Sequence, residues 1–287
     1  MKNIQKYNFK QGLPQEFEII NLDVLFKNFS NAMTSPHRAE FYQVIWIQEG
    51  NPIHTIDFKQ IKINPNSFIF INKGSVQQFD SSINYKGKVI LFTDSFFCKT
   101  QLDSTYLRNS ILFNDLHSTS EVCLSHSTPI FSELFHIMEQ ELSKGKDQYQ
   151  SDILRNALRI TLLQTERIKR EQGFTEIKKS LDLDQVMQFR TLLDSQFTDH
   201  KQVQFYAESM YITKKRLNQS TSNILGITPK QMIDARVVLE AKRLLAHTNI
   251  SVKEIGFKLG FEEPTNFIKY FKKHVLSTPL EFRTYIN

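Results

Sequence analysis

One pattern occurs twice in the last third of this 287-residue chain. Val203, Ala207, Met210 and Ile212 return as Val252, Gly256, Leu259 and Phe261 at an offset of 49. Leu217, Thr228 and Pro229 return as Phe267, Thr278 and Pro279 at an offset of 50, so a single inserted residue reconciles the two copies. Apolar residues three and four apart lie on one side of a helix, which commits this region to helices divided by short turns. Each copy has a first helix carrying a small residue, Ala207 or Gly256, where a second helix must come close, then a tight turn, then the second helix. That is the grammar of a helix-turn-helix unit. Between the copies, "PKQMIDARVVLEAKRLLAHT" opens on Pro229, whose missing N–H costs little in a first turn, and repeats Met232, Ile233, Val237, Ala241, Leu244 and Leu245 at helical spacing. The spacing predicts a buried linking helix of about 19 residues, roughly 28 Å long at 1.5 Å per residue.

The polar positions of the two second helices are alike in kind. In "EPTNFIKYFKK", Phe267, Tyr270 and Phe271 are placed to fasten the helix to its partner, leaving Thr265, Asn266, Lys269, Lys272 and Lys273 outside. The first copy sets Lys214, Lys215, Arg216, Asn218 and Gln219 around Leu217. A single basic amphipathic helix is ordinarily a solvated face. Two of one design are harder to explain that way, because Lys and Arg suit phosphates and guanine edges while Asn and Gln can bond adenine bidentately. The charge distribution agrees. Residues 184–287 hold 15 Lys and Arg against 10 Asp and Glu, whereas the other 183 residues hold 21 against 20. Basicity therefore belongs to the C-terminal third, as a polyanionic partner would require.

Upstream the period changes. From Phe41 to about Thr93, "FYQVIWIQ", "HTIDF", "SFIFIN" and "KVILFT" are rich in β-branched and aromatic residues and are separated by turn signals, which predicts a small sandwich or barrel. From Pro129, "IFSELFHIMEQEL" and "DILRNALRITLLQTERIKR" return to helical spacing. The polar stretch "TEIKKSLDLD" at 175–184 reads as an interdomain linker, with the boundary near residue 180. Cys98 and Cys123 are far apart and form no C-x-x-C, so neither a disulfide framework nor a thiolate metal site is expected. No run of eighteen apolar residues occurs, and the start "MKNIQKYNFK" lacks the apolar stretch of a signal peptide; the expectation is a cytoplasmic protein with no membrane partner. No G-x-S-x-G, P-loop or G-x-G-x-x-G is present, so no catalytic residue is nominated.

The C-terminal segments "ITKKRLNQSTSNILGITPKQMIDARVVLEAKRLL" and "AHTNISVKEIGFKLGFEEPTNFIKYFKKHVLSTPLEFR" resemble the DNA-binding domain of the AraC-type transcription regulators over roughly residues 185–285. Arg236, Ala241, Leu244, Leu245, Glu254, Ile255, Gly260, Phe261, Phe267, Phe271, Thr278 and Pro279 all fall on the family pattern. The resemblance implies recognition helices entering successive major-groove segments on one face of double-stranded DNA. It nominates Lys215, Asn218, Gln219, Thr265, Ile268 and Lys269 as base readers, and Lys214, Arg216, Lys272 and Lys273 as phosphate contacts. Two residues depart from the pattern. Gly256 stands where the family usually has Ala and should cost roughly 1 kcal/mol in a helix interior. Leu276 stands where Gly usually follows the recognition helix, as Gly226 does in the first copy, implying a different helix ending or strain.

"SPHRAEFYQVIWIQEGNPIHTIDF" more distantly resembles the start of the family's cupin-like barrel, over roughly residues 15–100. The fold expected is α+β: a cupin-like β-barrel with dimerisation helices in residues 1–180, then an all-α domain of two helix-turn-helix units joined by a long helix in 181–287. The resemblance further implies a homodimer through residues 129–170 and a small-molecule effector, and allows RNA polymerase as a partner. His37, Arg38, Tyr42, Trp46 and His54 are the candidate pocket residues; ordinary barrel core and rim is their other reading. Only His37 and Glu40 remain of the ligand set of metal-binding cupins, and "NKGSVQQFD" has glutamines where a second set needs His, so neither metal nor cofactor is expected. A cupin-type enzyme fused to a DNA-binding domain, and a regulator without an effector, are the alternatives.

Overall fold

The computed structural model describes residues 4–286 apart from 10–11, 14, 81–85, 114–120, 125–127 and 175–179. The chain divides into two compact units, residues 5–176 and 177–287.

The first unit contains two five-stranded sheets. One runs β1 (Gln5–Tyr7), β3 (His37–Ala39), β8 (Val76–Phe79), β5 (Ile53–Ile56), β6 (Lys59–Lys62); the other runs β10 (Val122–Cys123), β7 (Ser67–Ile71), β4 (Tyr42–Glu49), β9 (Lys86–Phe92), β2 (Phe17–Asn21). The expected strands are present, but among the described residues no ladder joins one sheet to the other, so the barrel is not closed. The second sheet is covered on both faces, which is why its central strands read as unbroken apolar runs. Alternation along β4 sends Ile45 and Ile47 inward, where they pack with Ile69, Ile71 and Val89 against Ile56 and Phe79 of the first sheet and Leu22 and Phe26 of α1 (Leu22–Met33). Tyr42, Val44 and Trp46 point the other way, into a larger core with Phe68, Phe92, Phe131, Phe135, Leu158 and Leu162. That core is roofed by α2 (Asp94–Phe97), α3 (Gln101–Asn109), α4 (Thr128–Ser143) and α5 (Gln150–Glu171). The last two are the helices predicted after Pro129; α1, α2 and α3 have no counterpart in the sequence reading.

The second unit is helical throughout: α6 (Leu181–Gln196), α7 (Val203–Ser209), α8 (Lys214–Leu225), α9 (Pro229–His247), α10 (Val252–Lys258), α11 (Pro264–Val275) and α12 (Pro279–Ile286). Of the expected linker, 175–179 lie outside the described residues, while Leu181–Asp184 is the first turn of α6. There the Ser180 hydroxyl accepts the Leu183 N–H at 3.1 Å, and Asp182 and Asp184 suit the positive end of the helix. The duplication is explicit in the fold. Thr228 and Thr278 each accept the N–H three residues on at 3.2 Å, and the Gln231 and Glu281 side chains accept the threonine N–H in return at 2.8 and 2.7 Å. The turn residue is left-handed in both copies, Tyr211 at φ 55° and Gly260 at φ 73°. Leu217 and Phe267, both fully buried, anchor α8 and α11 to a shared core with Ile233, Val237, Ala241 and Leu245 of α9.

Both departures from the family pattern acquire a physical reading. A methyl group on Gly256 would lie 3.2 Å from Cβ of Phe267, tighter than comfortable packing, so the absent side chain makes room for the ring. Leu276 adopts the same left-handed ending as Gly226, φ 63° against φ 67°, so the departure is strain and not a different helix ending.

Candidate nucleic-acid interface and an apolar cavity

Two second helices, α8 and α11, carry the nominated residues. Thr213 caps α8 by accepting the Arg216 N–H at 3.1 Å, and burial of Leu217 fixes which side faces out. Lys214, Lys215 and Gln219 are exposed, and neither lysine is in an ion pair among the described residues. Asn218 is half-buried and donates from Nδ2 to the Lys214 carbonyl at 2.9 Å. Arg216 differs from its neighbours. Its Nη2 lies 2.5 Å from Oδ1 of Asp182 on α6, whose carboxylate also accepts from Ser220 at 3.3 Å and Asn223 at 2.7 Å. The Asn223 bond first, with Arg216 and Ser220 behind it, holds the Asp182 carboxyl below its ordinary pKa. The Arg216 charge is thus already countered, and its first role is to tie α8 to α6.

On α11, Pro264 fills the first turn, Phe267 and Phe271 are fully buried, and Thr265, Lys269, Lys272 and Lys273 are exposed with no ion pair on the lysines among the described residues; Ile268 is half-buried. The helix is tied to α9 by Tyr270, whose hydroxyl donates to Oδ1 of Asp234 at 2.6 Å; that carboxylate also takes Lys230 at 2.7 Å. Burial first, then the bond to Asp234, pushes the Tyr270 phenol far above its ordinary range, so it stays a donor. Tyr211, in the turn before α8, is 96% exposed and was not singled out by sequence reasoning. Its signal was an aromatic at the position where the second copy has Gly260.

In the first unit a cavity of about 370 Å³ lies between the sheets beneath α1. Its wall is mostly hydrocarbon, from Ile20, Leu22, Leu25, Phe79, Val89 and Leu91 among others, with Tyr7, Asn8, Glu18, His37 and Gln43 as the polar members. Of the five nominated pocket residues only His37 lines it. Burial drives the His37 pKa down, and Nδ1 lies 3.0 Å from the Ser35 carbonyl. Tyr42 and Trp46 fall on the opposite face of β4, where Tyr42 donates to Asp94 at 3.1 Å and Trp46 to Asn66 at 3.3 Å. His54 is fully buried behind the wall, its Nε2 2.8 Å from Oε1 of Gln77; Arg38, next to His37 on β3, is half-buried and outside the lining. Gln43, missed by sequence reasoning, is 7% exposed and lines the cavity. It was legible only as the one polar residue inside the apolar run "YQVIWI". Among the described residues no cluster of three His, Cys, Asp or Glu could hold a metal ion.

Residues 20–163 match the family model of the AraC-like ligand binding domain, and residues 206–285 that of a helix-turn-helix domain. The HTH-type transcriptional activator RhaS of Enterobacter sp. (strain 638) is 20% identical over 251 residues, covering 86% of each chain. The HTH-type transcriptional activator RhaR of the same strain is 22% identical over 256 residues with the same coverage. The structure of ToxT from Vibrio cholerae aligns over 93% of this chain and 97% of its own, at 14% identity and a TM-score of 0.45. With paired helix-turn-helix units behind a two-sheet ligand-binding domain, and family matches over both, the chain belongs to the AraC-type family of transcription regulators.

Proposed function

We propose that this regulator grips double-stranded DNA with α8 and α11, and that a small molecule in the N-terminal cavity adjusts that grip. The observation that carries the reading is the pair of exposed basic helix faces on either side of α9, whose 19 residues span about 28 Å, near one turn of DNA. Lys215, Asn218, Gln219, Thr265, Ile268 and Lys269 read bases; Lys214, Lys272 and Lys273 hold phosphates, with Arg216 contributing less because Asp182 already pairs it. Residues 1–180 serve as the effector-binding and dimerisation domain and 181–287 as the DNA-binding domain. Ile130 and Ile137 share one face of α4, and Ile153, Ile160 and Leu163 one side of α5, each between 38% and 47% exposed; this supports α4 and α5 as the homodimer surface. We assign the chain no catalysis, and place it in the cytoplasm with RNA polymerase as a further partner. No helix among the described residues is long and apolar enough to cross a membrane.

The test is binding selection with the full chain from random duplexes. The expected product is a motif of two short blocks about 10 base pairs apart, one for each recognition helix. Lys269→Ala should relax the second block alone. A selection that enriches no sequence, or a single block unaffected by substitutions on α11, overturns the reading.

A further inference from the structure

The cavity beneath α1 has a definite chemistry. Register pairs Glu18, Leu91 and Gln43 across β2, β9 and β4, and the next inward row is Ile20, Val89 and Ile45. Its floor is therefore mostly hydrocarbon, with the Glu18 carboxylate and the Gln43 carboxamide in the row at its edge. Gln43 is 7% exposed and lines the cavity. A carboxamide that a bound molecule seals from water is costly to bury unless that molecule bonds to it. Phe29, at the point where α1 kinks, lines the cavity while 57% exposed, which marks the side on which it opens.

What enters must match this wall. A carboxylate or phosphate would lose its hydration with no Lys or Arg in the described lining to counter its charge. A sugar fares no better, because its several hydroxyls would face mainly leucine, isoleucine and phenylalanine. The volume falls near the small end of the roughly 300–1,000 Å³ typical of ligand pockets. We propose that the cavity takes an uncharged, largely hydrocarbon molecule with one hydrogen-bonding group, such as a medium-chain alcohol, ketone or ester, seated against the Gln43 carboxamide. This rests on the reading of the N-terminal unit as an effector domain.

Calorimetry and thermal shift on the full chain test it with three probes: 1-decanol, decanoate and glucose. Decanol should bind at least tenfold more tightly than decanoate, and glucose should not bind. Gln43→Leu should weaken decanol about fivefold, the loss of one hydrogen bond, and Leu91→Trp, which fills the cavity, should abolish it. Leu91→Phe is the milder filling if the indole unfolds the sheet. If decanoate or glucose binds best and the filled variant loses it, the neutral class is overturned while effector control stands. If no probe binds, or the filled variant binds each probe as the wild type does, the proposal fails. Should the filled variant also bind duplex and drive a reporter like the wild type under all conditions, effector control through this cavity fails with it. Unchanged decanol binding by Gln43→Leu removes Gln43 from its role.

Discussion

Replacing Leu276 with Gly should stabilise the helical unit by about 1 kcal/mol. The residue sits at φ 63°, ψ 9°, where an L side chain costs about 1–2 kcal/mol relative to glycine. It is 89% exposed, so removing the isobutyl group gives up almost no burial. Glycine's greater freedom in the unfolded chain takes back about 0.5–1 kcal/mol. The first copy supplies the mirror experiment: a side chain at Gly226, φ 67°, would meet nothing within 4 Å, so Gly226→Leu isolates the backbone cost and should destabilise by a similar amount. Urea unfolding of residues 177–287 measures both, as opposite shifts of the midpoint at constant slope. The double variant should return close to the wild type if the two caps act independently. An unchanged or lowered midpoint for Leu276→Gly would refute the reasoning, since the exposed leucine would then be making a contact worth its strain.

In DNA titrations at several salt concentrations, Lys214→Ala with Lys272→Ala should flatten the log K against log salt slope by about 2, while Arg216→Ala should change it by less than about 1, its charge being shared with Asp182; a change of about 1 or more for Arg216→Ala would detach it from that pairing. Burial holds the His54 ring at a pKa of about 4, against about 6.5 in an open chain, so the unfolded state binds the proton first as pH falls. Residues 5–176 should therefore lose stability between about pH 6.5 and 4, by at most about 3 kcal/mol from this group, and His54→Gln should show a shallower pH dependence; parallel curves would count against it. Sedimentation of residues 1–176 should show a dimer at micromolar concentration that Leu163→Glu converts to monomer, and a wild-type fragment that stays monomeric at high micromolar concentration removes α4 and α5 from the interface.

The helical unit was legible because its signals are local. Apolar spacing, the Thr-Pro caps and the small residue before each turn lie within a few positions of one another, and each copy reinforces the other. The cavity was not, because β4 is apolar on both faces. Alternation separates Tyr42 and Trp46 from Gln43, Ile45 and Ile47, but nothing in it says which set faces the other sheet and which the helices. The nominated residues were the conspicuous ones, and four of the five are outside the lining. The pairing of Arg216 was hidden for a related reason: the carboxylate that holds it is 34 residues upstream, in a stretch that reads as linker. α1 was as legible as the later helices, since Leu22, Leu25, Phe26, Phe29 and Met33 keep helical spacing through its kink at Phe29, yet it went unread.

The close approach at Gly256 bears on how such a sequence can drift. In the first copy the contact is made by Ala207 and Leu217; in the second, bulk has moved from the first helix to the ring of Phe267. The two exchanges are not equivalent: alanine opposite phenylalanine is the family's usual pair and asks the Phe267 ring to give by a few tenths of an ångström, whereas glycine opposite leucine leaves a void. Alanine at 256 is therefore one tolerable substitution away for descendants of this chain, trading helix propensity against a small shift of the ring, while glycine at 207 would loosen the first copy.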